Sequence, residues 1–369
     1  MRKRLAVLSV VLITLLTGIV MGGCGETQKG GTDANGGGKN EKPSVVKINV
    51  SHQPYSHGLP SYVAQKEGWF KEAGLDANIL FFTSGPSQNE ALGADQWEVG
   101  AMGSPPAILG GVGYNSHIIA FAVDDTVSVD YWVRPDSPIA KVKGEVKDHP
   151  DIYGTAELWK GKTILCPTAT SAHFMLIATL DKLGLTVNDV KIVHMEVPQA
   201  FAAFKAGQGD IVALWSPINN NAPAEGWVKV SSGLATGEVM PTVIVASDKA
   251  IKERPDAVKK WLEEYFKACD KLNQDINVQA KFLLQMQTDN GIKNDEAGAL
   301  KFVEDRPLPT LDYEAKIFKG EYGKREVDTI MEKIIDFFIE QGTIKAADKE
   351  KLLKNNFIDG QFIQALTQK

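Results

Sequence analysis

The chain has 369 residues and carries 40 Lys and Arg residues against 46 Asp and Glu residues, a formal net charge of −6. A chain with this acidic balance is not expected to bind nucleic acid or anionic lipid surfaces. Any anion site in it must therefore depend on local dipoles and hydrogen bonds rather than on the overall field of the protein.

The first 44 residues predict export. Basic residues at 2–4 precede an uncharged stretch from Leu5 to Val20, which ends in Met21-Gly22-Gly23-Cys24. This order is typical of a signal peptide, and it resembles a bacterial lipoprotein signal in which Cys24 receives the lipid anchor. We expect residues 1–23 to be removed, which changes the formal charge from −6 to −9, and the Gly-rich residues 24–44 to form a flexible tether. A transmembrane helix is the alternative, but the uncharged stretch is shorter than the roughly 20 residues of a span.

The body that follows is long enough for two lobes. In its first part, apolar runs predict strands at 45–50, 76–82, 97–102 and 117–123. A polar turn follows each strand, and most of these turns enter a helix. Because alternating strands and helices favour parallel sheets, whose ligand groups gather at the carboxyl ends of the strands, we expect these four turns to face one crevice.

A second α/β unit is predicted after a linking segment at 129–134, with strands at 162–166, 190–195 and 210–215. Its first strand leads into a turn and a helix for which Thr170 is the natural N-cap. The unpaired N–H groups and the positive end of the helix dipole can hold an anion without a buried cation, and side-chain donors are available from Thr168, Thr170, Ser171 and His173. An ordinary capped helix with a polar first turn is the alternative.

The run at 241–246 predicts a strand that returns to the first lobe, followed by amphipathic helices. We therefore assign residues 45–134 and 241–369 to lobe I, with a helical C-terminus, and residues 135–240 to lobe II. Two crossings between lobes are typical of a hinge. A disulfide between Cys166 and Cys269 is disfavoured, because it would tie the two lobes together.

The sequence resembles the solute-binding proteins of ABC importers for sulfonates, taurine and nitrate. The likeness rests on KGKTILCPTATSAHFMLIATLDKLGL and FAAFKAGQGDIVALWSP in the second unit, with Gly68-Trp69-Phe70, Gly85-Pro86, Gly103 with Pro105-Pro106 and Glu321-Tyr322-Gly323 in the family's order. The resemblance implies an α/β periplasmic-binding fold of type II, with two parallel-rich sheets, a two-crossing hinge and a ligand cleft between the lobes. It implies no enzymatic activity, no cofactor, and an ABC permease and ATPase as partners of a monomeric protein anchored on the outer face of the cell membrane.

Carried over by position, the resemblance assigns the cradle for the anion to the turn at 168–173. The other candidates are the turns of lobe I and the wall of the cleft: His52, Gln53, Tyr55, His57, Gly85, Pro86, Ser87, Gln88, Gly103, Ser104, Trp215 and Asn219. We favour an aliphatic sulfonate or taurine as ligand, with nitrate, bicarbonate or a small carboxylate as alternatives.

One departure from the family pattern concerns charge. Ser104 stands where the sulfonate-binding members often have an acidic residue, while Asp124 and Asp125 end the fourth predicted strand. These carboxylates would suit a substrate ammonium group, and a solvated strand end is the alternative. His52 and His57 share a loop, but no further ligand pattern accompanies them, so a metal site is not expected. An exported enzyme or a sensory lipoprotein on the same fold remains the alternative of a different class.

Overall fold

The computed structural model describes residues 45–368, in which the chain forms two five-stranded sheets with helices packed around them. The predicted signal peptide, Cys24 and the tether lie outside the described residues. The strands are β1 Val46–His52, β2 Leu75–Phe81, β3 Val99–Gly103, β4 Ser116–Asp124, β5 Val129–Val133, β6 Thr163–Cys166, β7 Lys191–His194, β8 Ile211–Trp215, β9 Val228–Ser232 and β10 Pro241–Ser247.

Helices connect these strands and cover both sheets. In the first part of the chain they are α1 Leu59–Lys66, α2 Trp69–Glu72, α3 Gly85–Gly93, α4 Ser104–Tyr114, α5 Ala156–Trp159, α6 Ser171–Lys182, α7 Val197–Lys205 and α8 Gly233–Thr236. After β10 they are α9 Asp248–Glu253, α10 Pro255–Leu272, α11 Ile276–Asp289, α12 Glu296–Glu304, α13 Leu311–Ile317, α14 Glu326–Glu340, α15 Ala346–Lys354 and α16 Gln361–Thr367.

The two sheets share one plan. The first has the order β2-β1-β3-β10-β4 and the second β7-β6-β8-β5-β9. In each sheet four strands run in one direction and a single strand, β10 or β5, runs antiparallel to both of its neighbours. The predicted parallel-rich, two-lobed α/β fold is therefore confirmed.

Two chain segments cross between the lobes, at 125–128 and 237–240. They are hydrogen bonded to each other: the amide of Asp125 donates to the carbonyl of Met240 (3.0 Å), and the amide of Met240 donates to the hydroxyl of Thr126 (2.9 Å). The two crossings thus form one paired hinge. The first crossing comes earlier than the sequence prediction, because β5, assigned there to lobe I, pairs with β8 and β9 in the second sheet.

Eight of the ten strands lie within a few residues of their predicted positions, whereas β5, interpreted as a linking segment, and β9 were missed. β9 is an edge strand with a single neighbour, β5, and its second residue, Lys229, is exposed. A short edge strand carries only part of the apolar signal of a central one such as β8, in which all five residues are buried.

The helices after β10 complete lobe I. Helix α10 buries one face, with Trp261, Leu262 and Tyr265 fully enclosed. Further along, the chain returns to the first sheet, where the amide of Ile118 donates to the carbonyl of Phe357 and the amide of Asp359 donates to the carbonyl of Ile118, both at 2.8 Å. The C-terminal segment is therefore part of the lobe I framework, and it brings residues after 300 close to the end of β4.

Candidate functional site

A cavity of about 40 Å³ lies between the two lobes next to the hinge. This volume has room for about three water molecules, or for a compact solute of a few heavy atoms. The structure brings together half of the predicted site residues here: Gln53, Tyr55, His57, Gly85, Gly103, Asp125, Thr170, Ser171 and Trp215. It does not place the other half on the cavity wall: His52, Pro86, Ser87, Gln88, Ser104, Asp124, Thr168, His173 and Asn219.

The lobe II wall is the N-terminus of α6. Thr170 is the N-cap residue in extended conformation, and the amide of Phe174 makes the first helical hydrogen bond, to the carbonyl of Thr170 (3.1 Å). The earlier amides of the first turn have no intrahelical partner and are available to an anion, as the sequence predicts. The Thr170 hydroxyl, however, donates to the carbonyl of Pro167 (2.6 Å), so its side chain closes the turn.

Two of the predicted donors in this turn are engaged elsewhere. Thr168 contacts the Nδ1 of His194 through both its amide (3.1 Å) and its hydroxyl (2.9 Å), at an exposed edge of the lobe. His173 accepts a hydrogen bond from the amide of Ala169 (3.3 Å), a residue in the left-handed region with φ of 60°. Both side chains therefore make hydrogen bonds within lobe II and do not line the cavity.

The remaining predicted residues form a supporting layer. His52 shares a hydrogen bond of 2.8 Å with Ser61, and Asn219 donates to Asp130 at 2.7 Å, which secures the loop after β8. Gln88 receives a hydrogen bond from Gln53 (2.7 Å) and so positions a side chain that does line the cavity.

The polar residues around the helix starts of lobe I also act locally. The hydroxyl of Ser87 donates to the carbonyl of Ser84 (2.7 Å) and Pro86 occupies the first turn of α3, whereas Ser104 is completely buried at the start of α4. Asp124 is exposed at the start of the hinge crossing, where its carboxylate accepts hydrogen bonds from the amide (3.0 Å) and the hydroxyl (2.6 Å) of Thr126.

The lobe I wall contains an arginine that the sequence analysis did not identify. Arg306, just after α12, is 2% exposed and lines the cavity. Its Nε donates to Oδ1 of Asp125 (2.7 Å), one terminal nitrogen donates to the carbonyl of Phe302 (3.1 Å), and the other approaches the hydroxyl of Ser216 in lobe II (3.4 Å). The guanidinium carbon also lies 4.0 Å from the centre of the Phe302 ring, a cation–π contact.

An aromatic group joins the two walls. The Trp215 indole of lobe II donates to the hydroxyl of Tyr55 in lobe I (2.9 Å), and the ring of Tyr55 stacks on Phe302 with centroids 6.3 Å apart. Burial is the main cause that raises the pKa of Tyr55 to about 12, so its hydroxyl is neutral. The Tyr55–Trp215 hydrogen bond exists only while the lobes are together.

Two buried polar atoms on this wall have no partner among the described residues, the hydroxyl of Ser56 and Nδ1 of His57. Buried polar atoms are normally hydrogen bonded, so these two are candidates for contact with a ligand. Burial lowers the pKa of His57 to about 3, and the ring is neutral at physiological pH. Burial raises the pKa of Asp125, and the Arg306 guanidinium opposes that shift.

Nine lining residues are absent from the predicted site: Ser56, Pro106, Val123, Ser128, Val129, Ser216, Thr242, Phe302 and Arg306. One signal was present for Arg306: only six of the 40 Lys and Arg residues are Arg, at positions 2, 4, 134, 254, 306 and 325. In a Lys-rich chain an arginine is a candidate for a geometrically demanding contact, because its planar fork holds oxygen atoms in fixed directions. No motif around residue 306 indicates which contact that is.

Metal binding and thiol chemistry are two alternatives to the binding of a solute. No cluster of three or more His, Cys, Asp and Glu side chains suitable for a metal occurs in residues 45–368. Cys166 and Cys269 are buried and not bonded to each other, and burial raises the pKa of both thiols. In the same range, no helix has the length and apolar character needed to cross a bilayer.

The family assignment follows from comparison with known proteins. The model of the NMT1-like family matches residues 41–282, more than half of the chain. The protein belongs to this family. It is 33% identical to a putative ABC transporter periplasmic binding protein of Brachyspira hyodysenteriae, over 77% of this chain and 82% of the relative. It is 24% identical to the taurine-binding periplasmic protein of Escherichia coli, over 87% of this chain and 93% of the relative.

Solved structures agree on the fold. The periplasmic aliphatic sulphonate binding protein SsuA of Escherichia coli superimposes with a TM-score of 0.63 at 18% identity, covering 85% of this chain and 99% of that one. The chain therefore has the periplasmic-binding-protein fold. The cavity described above occupies the position between the lobes in which ligands of such hinged folds are enclosed.

Proposed function

We propose that this protein is the solute-binding component of an ABC importer and that it captures a small organic anion, an aliphatic sulfonate or taurine, between its lobes. The observation that carries the proposal is the convergence on one interlobe cavity of a helix N-terminus from lobe II and a buried guanidinium from lobe I. The names of the relatives support an importer and a sulfonate-like ligand.

The energetics are of the right size. Micromolar affinity corresponds to about 8 kcal/mol. Charge-assisted hydrogen bonds contribute about 1.5 to 3 kcal/mol each, and each buried methylene adds about 0.8 kcal/mol. Three such bonds and a two-carbon chain are sufficient once the cost of closing the lobes has been met. A nitrate, bicarbonate or small carboxylate ligand would use the same donors and is the alternative within this function.

An enzymatic role gains no support from the nearby titratable groups. Burial raises the pKa of Cys166 and lowers that of His57 to about 3, which makes the first a poor nucleophile and the second a poor proton acceptor at neutral pH.

Isothermal titration of the purified protein with taurine, ethanesulfonate, nitrate, bicarbonate and small carboxylates tests the proposal. We expect a dissociation constant in the micromolar range or below for at least one sulfonate. Absence of binding to every member of the panel would refute it.

Anchoring and delivery are separate parts of the same proposal. We propose that Cys24 carries a lipid that holds the monomeric protein on the outer face of the membrane, next to its permease and ATPase. Substituting Cys24→Ala in cells should move the protein from the membrane fraction to the soluble extracytoplasmic fraction and reduce ligand uptake. An unchanged membrane association would argue against a lipid at this position.

A further inference from the structure

The ion pair between Arg306 and Asp125 is unusual for its place in the molecule. The two side chains come from segments 181 residues apart and meet on the cavity wall, where Arg306 is 2% and the Asp125 side chain 22% exposed. A buried ion pair is weak evidence for stability, because removal of both charges from water costs about as much as their attraction returns. The position of this pair on the cavity therefore suggests a role in recognition.

Arg306 retains donors for a ligand. A guanidinium group has five N–H bonds, and the contacts to Asp125, Phe302 and Ser216 use three of them. The Phe302 ring, 4.0 Å from the guanidinium carbon, and Asp125 fix the plane of the group. The two remaining N–H bonds belong to the terminal nitrogens, which are suited to an acid group held between Arg306 and the start of α6.

Asp125 retains an acceptor. Its Oδ1 receives the hydrogen bond from Arg306, and the Ser128 hydroxyl lies beside the carboxyl group. A carboxylate has about four acceptor sites, so Oδ2 keeps capacity for a further donor. Because Asp125 lies on the hinge crossing and lines the cavity, this second oxygen is placed to accept hydrogen bonds from a positively charged group of a ligand.

The charge balance of the cavity favours such a group. Among the described residues that line it, only Arg306 and Asp125 carry formal charges, and these cancel. A simple sulfonate would bring a full negative charge against only the partial positive charge of the α6 N-terminus, whereas a zwitterion would bring no net charge. Glu196 lies farther out, where it accepts a hydrogen bond from Ser84 across the lobes (2.9 Å), and its negative charge adds to the preference.

We infer that Arg306 and Asp125 are a specificity-determining pair that selects a short zwitterion, in which an ammonium group binds Asp125 and a sulfonate or carboxylate group binds Arg306 and the N-terminus of α6. This inference rests on the proposed function and narrows its ligand class. The small cavity, about 40 Å³, and the adjacency of the two charges favour a short spacer between the charged groups of the ligand, such as the two-carbon chain of taurine.

Titration calorimetry with matched ligands tests the inference. Taurine, ethanesulfonate and isethionate share the sulfonate group and differ in carrying an ammonium, a methyl or a hydroxyl group at the other end. We expect the wild-type protein to bind taurine at least tenfold more tightly than either of the other two. Equal affinities for the three would overturn the inference and leave anion capture intact, whereas no binding of any of them would count against the proposed function itself.

Two neighbouring variants assign the preference to a residue. Asp125→Asn should reduce the taurine preference to less than threefold, and Asp124→Asn should keep it, because Asp124 is exposed and caps Thr126. Circular dichroism and thermal unfolding establish that each variant is folded. If Asp125→Asn misfolds, the ligand comparison on the wild-type protein alone decides the matter. A preference that persists in folded Asp125→Asn would overturn the pairing of Asp125 with the ammonium group.

Discussion

The two walls of the cavity are built in different ways. The lobe II wall is local in sequence, because the end of β6, the turn and the start of α6 are contiguous and supply backbone donors without a formal charge. The lobe I wall is assembled from distant segments: the loop after β1, the hinge residue Asp125, and Phe302 and Arg306 from the C-terminal helices. A local wall can be recognised from its motif, whereas an assembled wall depends on the fold.

The difference also concerns electrostatics. A helix N-terminus offers a partial positive charge that needs no counter-ion, whereas a buried guanidinium requires a partner. Asp125 meets that need for Arg306. We therefore expect the first wall to accept any small anion and the second to distinguish among ligands by their charge pattern.

The largest expected effect comes from removing the formal charge of the assembled wall. Arg306→Ala deletes the donors to the acid group and leaves Asp125 buried without its partner, so we expect at least a 100-fold loss of affinity, about 3 kcal/mol. Titration calorimetry measures the loss. Arg306→Lys, which keeps the charge but not the planar fork, should recover part of it. Affinity of the Ala variant close to wild type would mean that α6 alone holds the anion.

The next effect concerns the support behind the same wall. Glu314 on α13 is completely buried and accepts a hydrogen bond from the amide of Phe121 in β4 (3.0 Å), and burial raises the pKa of this carboxyl to about 8 from 4.5. The folded state therefore holds a proton that the unfolded chain releases. The resulting contribution to stability is complete below about pH 4.5 and is lost as the pH rises through 8.

Glu314→Gln imitates the protonated acid and should remove this loss. We expect the variant to exceed the wild type in free energy of unfolding by an amount on the order of a few kcal/mol above pH 8 and to match it near pH 5. Chemical denaturation at both pH values provides the measurement. A constant difference between the two proteins across this range would show that Glu314 does not titrate with folding.

A third change tests the contact between the two walls. A Cβ atom at Gly103 of lobe I would lie 2.4 Å from the hydroxyl of Ser171 at the start of α6. The backbone of Gly103, with φ of −60° and ψ of 148°, accepts alanine without strain, so the clash arises only between the lobes. We expect Gly103→Ala to weaken ligand binding about tenfold or more by opposing closure, and to leave thermal unfolding of the ligand-free protein little changed.

The matched control removes the other side of the clash. Because Ser171 also lines the cavity, Ser171→Gly is compared in the two backgrounds, and it should cost less affinity with Gly103→Ala than alone, since it removes the hydroxyl that meets the new methyl group. Equal costs in the two backgrounds would indicate that the glycine is needed within lobe I rather than at the contact between lobes.

The fold was largely predictable from sequence because central strands such as β8 are continuous apolar runs and the turns after them are polar. The start of α6 was predictable for the same reason. The sequence did not predict that the Thr170 hydroxyl is used for the carbonyl of Pro167, nor that Thr168 faces His194. These contacts occur in a turn in which Ala169 has a positive φ, a backbone conformation that the residue pattern does not predict.

Arg306 was beyond the reach of local patterns. Its neighbours in sequence read as the end of an amphipathic helix, and its role is visible only once the C-terminal helices pack beside the end of β4. The same reasoning separates Asp124 from Asp125, which look equivalent in sequence. The strand ends at Asp124, and the hinge turns Asp125 to the cavity while its neighbour remains in solvent.

The smallest expected effect concerns the hydrogen bond that joins the walls only in the closed form. Tyr55→Phe removes the acceptor for the Trp215 indole, a neutral bond worth about 0.5 to 1.5 kcal/mol, so affinity should fall about three- to tenfold. In the Tyr55→Phe background the Trp215 indole has already lost its acceptor, so Trp215→Phe should cost less affinity there than it does in the wild-type protein. A double-mutant cycle by calorimetry measures this coupling, and strictly additive losses would mean that the bond does not contribute to closure.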